Sequence, residues 1–529
     1  MPDIARELLR REAYEPDPGD VRLETTHASW VFITDRDVWK VKRPVDLGFL
    51  DFRTIEARRL DCEEEVRLNR RLAPDVYLGV VPVRRTPSGC GIVGEGPIVD
   101  WAVRMRRLPD EASASALLAR GQLDARLLAT LAERLIAFFD EAPPAPAFGT
   151  PTALGRNLDE NFSQVAPFVG DLLERGTFDD VQAFQRSRLT RHHDRFIARL
   201  TEDRVREGHG DLRLEHVYFL PGRDGYLEPV VIDCVEFNER FRCGDVAAEL
   251  AFLSMELEAA GRPDLAAGFL ARFAEASDDY GLYGVLDFYL SYRAWVRGKV
   301  ATFVAGDPTA PGALRAAKRD EARRCFGLAR SFSGQPVDRP FLIAVGGAIG
   351  SGKSTLAAGL GRALAVPVAS SDRTRKVLAG LPPTTRAGAA AYTLEARDRT
   401  YEEIIRRAGQ VREAGRGVIL DATFSNSRWR RRAAEAARAA NATFVWLEAC
   451  CPSEVLRSRL AARQSGPSTS DAGGSLLDQF LRNYEPRGAG DPTPHLPVDT
   501  AGSPAGALED VLSRLTHFGI SPAAERRAS

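Results

Sequence analysis

The sequence predicts a multidomain α/β protein, with a β-rich and then mostly helical N-terminal half and a C-terminal half built on a parallel sheet. Three observations carry this. The chain has 529 residues, more than one ordinary core accommodates, so two to four domains are expected. A stretch punctuated by Gly, Pro and Ser, Ser331-Phe-Ser-Gly-Gln-Pro-Val-Asp-Arg-Pro340, parts a charged helical pattern from a new apolar strand. Beyond it, apolar runs at 341–346, 417–421 and 443–449 alternate with helical segments, as in a parallel α/β sheet.

Taken in order, residues 1–107 hold short β-rich runs at 29–34, 38–42, 80–83 and 98–105 around one helix near 54–72. Residues 108–330 read as mostly helical, interrupted by a strand–loop–strand passage at 205–237. The stretch 331–340 is a linker, and 341–529 is the parallel-sheet domain. Segments 465–475 and 486–506 read as loops. No internal repeat is visible.

Composition narrows the function classes. With 44% hydrophobic and 27% charged residues the chain reads as globular throughout, and a net charge of -1 argues against a wholesale nucleic-acid or membrane-surface binder. No apolar run approaches the ~20 residues of a membrane helix, and residues 1–20 lack the apolar core of a secretory signal. The seven cysteines are scattered, odd in number and without a C-x-x-C pair. They are expected to be reduced thiols of a cytoplasmic protein. Only six of the 72 basic residues are lysines, so a lysine beside other functional signals stands out.

The firmest motif is Gly347-Ala-Ile-Gly350-Ser351-Gly352-Lys353-Ser354, set between the apolar strand 341–345 and a helix opening at Ser354-Thr355. A strand, a glycine loop and a helix in that order make a P-loop, whose backbone N–H groups curl around phosphate. Lys353 would reach the β- and γ-phosphates and Ser354 would ligate Mg²⁺, so ATP or GTP with magnesium is the expected ligand. Ser370-Ser-Asp372-Arg-Thr-Arg375 places an acid and an arginine on one helical face. Asp372 could accept an acceptor's hydroxyl proton and Arg375 hold a polar or anionic group; a capping Asp in a charged helix is the other reading. Val418-Ile-Leu-Asp421-Ala-Thr423 ends an apolar strand in a carboxylate placed to hold magnesium, or alternatively to cap a helix. Arg457, Arg459 and Arg463 precede the loop at 465–475 and suit a lid over transferring phosphate, or a solvated face.

On these motifs, residues 341–484 resemble the small P-loop kinases of the gluconate kinase, chloramphenicol phosphotransferase and polynucleotide 5′-kinase group. The resemblance implies phosphoryl transfer from ATP and leaves the acceptor open.

A second constellation is Glu207-Gly-His-Gly-Asp211-Leu-Arg-Leu-Glu-His216 followed by Val230-Val-Ile-Asp233. A hairpin there would bring Asp211 and Asp233 together, one as base for a hydroxyl and one as a magnesium ligand, although strand-end Asp residues are common. The passage resembles the aminoglycoside phosphotransferase and choline kinase group, which implies a protein-kinase-like two-lobed α+β fold over roughly residues 20–300. The resemblance further implies that the strand Val38–Arg43 supplies an ATP lysine, Lys40 or Lys42, both on one face by the period of two. Glu65, with Glu64 as the alternative, would be its ion-pair partner; Val103–Leu108 would be the hinge and Asp245 a support of the catalytic loop. The group's pattern has Asn five residues after the catalytic Asp, as a second magnesium ligand, and here His216 stands there. His27-Ala-Ser-Trp30 stands where the group has a Gly-rich phosphate loop.

In layout the chain resembles bacterial proteins that fuse these two kinds of domain. The expectation is a two-module, ATP- and Mg²⁺-dependent phosphotransferase with a small hydroxylated acceptor. The other readings are an impaired N-terminal module that binds ATP for regulation, and a kinase of nucleic-acid 5′-hydroxyls. The last is disfavoured because the sequence shows no aromatic platform interleaved with basic residues.

Overall fold

The computed structural model describes residues 3–26, 28–46, 50–334, 339–382, 385, 387–463 and 475–523. Parts of the expected linker and lid, with His27, lie outside these. Contacts divide the chain into two compact units: residues 1–160 with 196–256, and 161–195 with 257–529.

The first unit opens on a six-stranded antiparallel sheet, in the order 22–25, 29–33, 37–42, 98–106, 77–86 and 89–91. Alternation sorts the strand Asp37–Lys42 between two environments. Trp39 and Val41 join Trp30, Phe32, Val83 and Ala102 in one apolar cluster. Val38, Lys40 and Lys42 therefore face the other side, where the helix Ile55–Asn69 packs through Cys62 and Val66 against Val103, Met105 and Tyr77. Thr54 caps that helix by accepting from the Ala57 N–H. Farther on, Val217–Pro221 and Leu227–Val231 form an antiparallel hairpin, and Val205–Glu207 pairs with Cys243–Asp245.

The second unit contains a five-stranded parallel sheet in the order 368–370, 418–421, 341–347, 443–450 and 495–499. The middle strand Phe341–Gly347 is buried along its whole length, which is why it reads as a continuous apolar run. The strand His495–Asp499 corrects the expected loop at 486–506. It sits at the sheet edge, the place where a strand tolerates Pro497, and its polar ends hide it from hydropathy. The helices Pro263–Ser277, Tyr283–Gly306 and Gly312–Ser331 share this unit with the sheet, although they precede the linker in sequence. No helix among the described residues is long and apolar enough to cross a membrane.

Candidate active sites

The N-terminal constellation closes around Lys40. Its Nζ lies 2.9 Å from Glu65 Oε1 and donates to Asp233 Oδ1 at 3.0 Å. Lys42, fully buried one pleat away, pairs with the other oxygen of Glu65 at 2.6 Å, with Asp61 at 2.7 Å and with Glu236. Both lysines on one face thus meet one glutamate, and the geometry separates them: Lys40 bridges to the Asp233 loop while Lys42 is enclosed. Burial works against both ammonium groups, but the facing carboxylates outweigh it and hold both protonated. Lys40 in turn holds Asp233 well below the usual carboxylate range against the effect of burial, with His216 assisting.

Asp233 has φ +64°, a left-handed conformation costly for a residue with a side chain. It is held by its neighbours: its N–H donates to Tyr77 Oη at 3.0 Å, and the Cys234 N–H donates to Asn69 Oδ1 at 2.9 Å. Burial pushes the His209 ring down to about pKa 3, so it is neutral. Its Nε2 meets the Ile232 carbonyl at 2.9 Å and its Nδ1 accepts from the Asp211 N–H at 3.3 Å, which fixes the start of the loop that carries Asp211. Gly210 follows at φ +87°, where a Cβ would stand 2.8 Å from the Phe241 carbonyl, so only glycine fits. The Gly210 N–H donates to Glu249 Oε1 at 2.9 Å. Asp245, expected to support this loop, is instead buried against Arg199 and accepts from Ala247 N–H. The loop's support comes from Glu249, in the helix Val246–Ala259 that follows.

His216 stands between the two aspartates, 3.5 Å from Asp211 Oδ2 through Nδ1 and 3.5 Å from Asp233 Oδ2 through Nε2. Asp211, Asp233, Lys40, Glu65 and His216 are therefore one cluster.

In the P-loop domain Gly347, Gly350 and Gly352 all have positive φ. The first is forced, since a Cβ would lie 2.5 Å from the Ala449 carbonyl. The helix Lys353–Leu364 begins directly after the loop, so its free N–H groups point into the phosphate cradle. Ser351 is buried, and Ser354 and Thr355 are exposed at the helix start. Parallel pairing sets Asp421 level with Val345 on one side and Ser370 on the other, at the strand ends beside the loop. Its carboxyl is raised above the ordinary range by burial, opposed by Lys353 and the Ser354 hydroxyl, reinforced by Asp372 and opposed again by Ser370. Asp421 Oδ1 is buried without a hydrogen-bond partner. A buried, unpartnered oxygen beside a lysine, a serine hydroxyl and an anion cradle fits a hydrated Mg²⁺ and nucleotide phosphates.

Asp372 and Arg375 share the face of the helix Ser371–Leu378 and bond at 2.6 Å, with the Arg375 guanidinium 4.9 Å from the Tyr392 ring centroid. Arg459 does not reach free into the cradle. Its Nη2 donates to the Thr500 carbonyl at 2.6 Å, tying the end of the last strand to the P-loop. The Arg463 side chain and the lid at 464–474 lie outside the described residues.

Sequence reasoning missed two supports here. The buried Tyr401 phenol lies 3.1 Å from Thr423 Oγ1 and accepts from the Phe424 N–H at 2.9 Å, bracing the turn after Asp421. Its only signal was its place among Ile404, Ala408 and Val411 on an apolar helix face. The second is a bracket on the edge strand Val368–Ser370. Val368 N–H donates to Glu275 Oε1 at 2.7 Å and the Tyr280 hydroxyl donates to the Val368 carbonyl at 2.8 Å. Arg407 extends it, bonding Thr374 on the Asp372 helix at 2.5 Å and Asp278 at 2.7 Å.

Comparison with known proteins places the C-terminal domain. The profile of the AAA domain family matches residues 342–487. A protein of Mycobacterium tuberculosis described as "Uncharacterized protein Rv2004c" is 30% identical over 467 residues, 86% of this chain and 89% of the relative. The Mycobacterium bovis protein described as "Uncharacterized protein Mb2027c" matches to the same extent. Among solved structures, a choline/ethanolamine kinase family protein from Mesorhizobium loti overlaps 62% of this chain and 98% of its own, at 12% identity and a TM-score of 0.37. A gluconokinase from Sinorhizobium meliloti overlaps 34% and 93%, at 22% identity and a TM-score of 0.26. The chain belongs to the family of these mycobacterial proteins, and its C-terminal part carries the AAA domain that the family profile matches.

Proposed function

We propose that the chain is an ATP- and Mg²⁺-dependent phosphotransferase with two ATP-using modules, the P-loop half acting on a hydroxyl of a small acceptor. The observation that carries this is the buried, unpartnered Oδ1 of Asp421 amid Lys353, Ser354 and Asp372. A strand-end aspartate that merely capped a helix would have its oxygens bonded to backbone N–H groups.

In this reading the P-loop backbone and Lys353 would grip the β- and γ-phosphates, Ser354 would ligate the metal and Asp421 would hold its water shell. Bound Mg²⁺ would neutralise phosphate charge as the γ-phosphoryl leaves. Arg375 orients the acceptor and Asp372 takes the proton of its hydroxyl as that oxygen bonds to phosphorus in line with the departing ADP oxygen. In the N-terminal half Lys40 takes the nucleotide phosphates, Asp233 the metal, and Asp211 the acceptor proton.

A second reading applies to that half alone. His216 at the expected Asn position, and Lys40 already shared between Glu65 and Asp233, favour a module that binds ATP and regulates without turnover.

Radiolabel transfer from ATP to hydroxylated small molecules, nucleosides and RNA or DNA ends tests both. Lys353→Ala should lower transfer by the P-loop half about 10²–10³-fold, the effect of losing one charged phosphate contact in a preorganised site. Unchanged ATP affinity and turnover would overturn the assignment. Asp211→Ala separates the two readings: no lost activity alongside retained ATP binding marks the N-terminal half as regulatory.

A further inference from the structure

The N-terminal cluster carries one feature that magnesium chemistry does not explain. His216 Nδ1 lies 2.9 Å from the backbone carbonyl of Asp211. A carbonyl only accepts, so Nδ1 carries a proton, and in the neutral ring Nε2 keeps the lone pair. That lone pair faces Asp233 Oδ2 at 3.5 Å, with Glu215 Oε1 at 3.6 Å on the rim. The ring is only 11% exposed and is not free to turn away.

The Asp233 carboxylate is equally committed. Its Oδ1 accepts from Lys40, and its backbone is held in the left-handed region by Tyr77. Only Oδ2 remains for a ligand, and it is the oxygen that meets Nε2. Neighbouring ligands on one octahedral ion, each roughly 2.1–2.2 Å from it, are about 3 Å apart. The two atoms therefore need move only about half an ångström to share an ion. Among the described residues no three His, Cys, Asp or Glu side chains converge to hold a metal by themselves. The remaining positions fall to phosphate oxygens and water, so the ion would arrive with the nucleotide.

We propose that this imidazole–carboxylate pair selects Mn²⁺ over Mg²⁺ as the ion carried with ATP by the N-terminal half. An imidazole nitrogen is a poor partner for hard Mg²⁺ and a good one for first-row transition ions. Of those ions, Mn²⁺ is the one that also suits the carboxylate, phosphate and water oxygens completing the shell. The P-loop site, whose side-chain ligands would be the oxygens of Ser354 and Asp421, has no such nitrogen. The two halves would therefore draw on different ions. This inference rests on the reading of the N-terminal half as an ATP site.

The test is pulsed electron paramagnetic resonance on the full chain with MnCl₂ and ATP. Histidine is labelled with ¹⁵N, so that nucleotide nitrogens do not count. The expected result is a ¹⁵N coupling to Mn²⁺ that His216→Asn abolishes. In calorimetry on the Lys353→Ala chain, ATP should bind at least about tenfold more tightly with Mn²⁺ than with Mg²⁺, and His216→Asn should bring the two ions to parity or below. Binding of both metal–ATP complexes to the Lys353→Ala chain without any histidine coupling overturns the metal inference and leaves the ATP site standing. Failure of that chain to bind either complex overturns both. The coupling is read in the unsubstituted chain, so the result does not hinge on how a variant folds.

Discussion

The two candidate sites handle charge in opposite ways. Around Lys40 and Lys42 every buried ion faces a counter-ion, and four carboxylates, Asp61, Glu65, Asp233 and Glu236, enclose two ammonium groups. Around the P-loop, Lys353 makes no ion pair among the described residues, and Asp421 holds a buried oxygen that bonds to nothing. The first site is held together by its charges in the absence of ligand, whereas the second keeps its charges for a ligand at some cost to its own stability. Similar residue types can therefore serve as structure in one half of a chain and as a waiting contact surface in the other.

The sharpest way to break this contrast is to remove one cation from each site. Lys42→Ala leaves Asp61 and Glu236 without their counter-ion and Glu65 with Lys40 alone, and should cost about 3–5 kcal/mol in urea unfolding of the first unit. Lys40→Ala should cost less, because Glu65 keeps Lys42 and the Asp233 side chain is half exposed. Lys353→Ala should cost less again, under about 1 kcal/mol, because its charge offsets only the buried Asp421 carboxyl and makes no ion pair among the described residues. Equal losses at Lys42 and Lys353 would erase the distinction.

A pH series sharpens it next. Asp233 titrates below its ordinary value in the fold, so its contribution to the first unit is present at neutral pH and fades as acid approaches that lowered value. Glu275 behaves oppositely. Burial pushes it up to about 7 despite the Val368 N–H and the nearby Arg272, Arg373 and Arg362. A raised folded value means stability is full below the unfolded value of 4.5 and declines as pH rises through 7. The second unit should lose about 2 kcal/mol from this group between pH 5 and 8, and Glu275→Gln should flatten that slope. Thermal denaturation at fixed pH steps would show it.

The smallest expected effect is the most diagnostic of a site waiting for ligand. Asp421→Asn should raise the stability of the ligand-free protein by roughly 1 kcal/mol while weakening Mg·ATP binding about tenfold or more. A variant that is less stable and binds as before would mean that Asp421 is a structural residue.

Which parts were readable from sequence follows from where the information lies. The P-loop and the strand ending in Asp421 depend on local spacing. A period of two put both lysines on one face, whereas Glu65 as their partner followed from the resemblance, not from spacing. The supports were not local. Tyr77, Asn69, Glu249 and Tyr401 look like core or helix-surface residues, because which loop each one meets is decided by tertiary packing. Asp245 shows the same limit from the other side: resemblance supplied a plausible role, and Arg199 takes its carboxylate. One Arg–aromatic pair, Arg375 with Tyr392, also comes together only in the fold.

The bracket on Val368 bears on how this protein can be taken apart. The strand 368–370 is the outer one of its sheet, and its open side is where a foreign strand could add. Glu275 and Tyr280 occupy the N–H and the carbonyl that such a strand would use. A fragment cut at residue 341, where the sequence invites the cut, would discard both and bare that edge. It should self-associate in solution, whereas the full chain should stay dispersed.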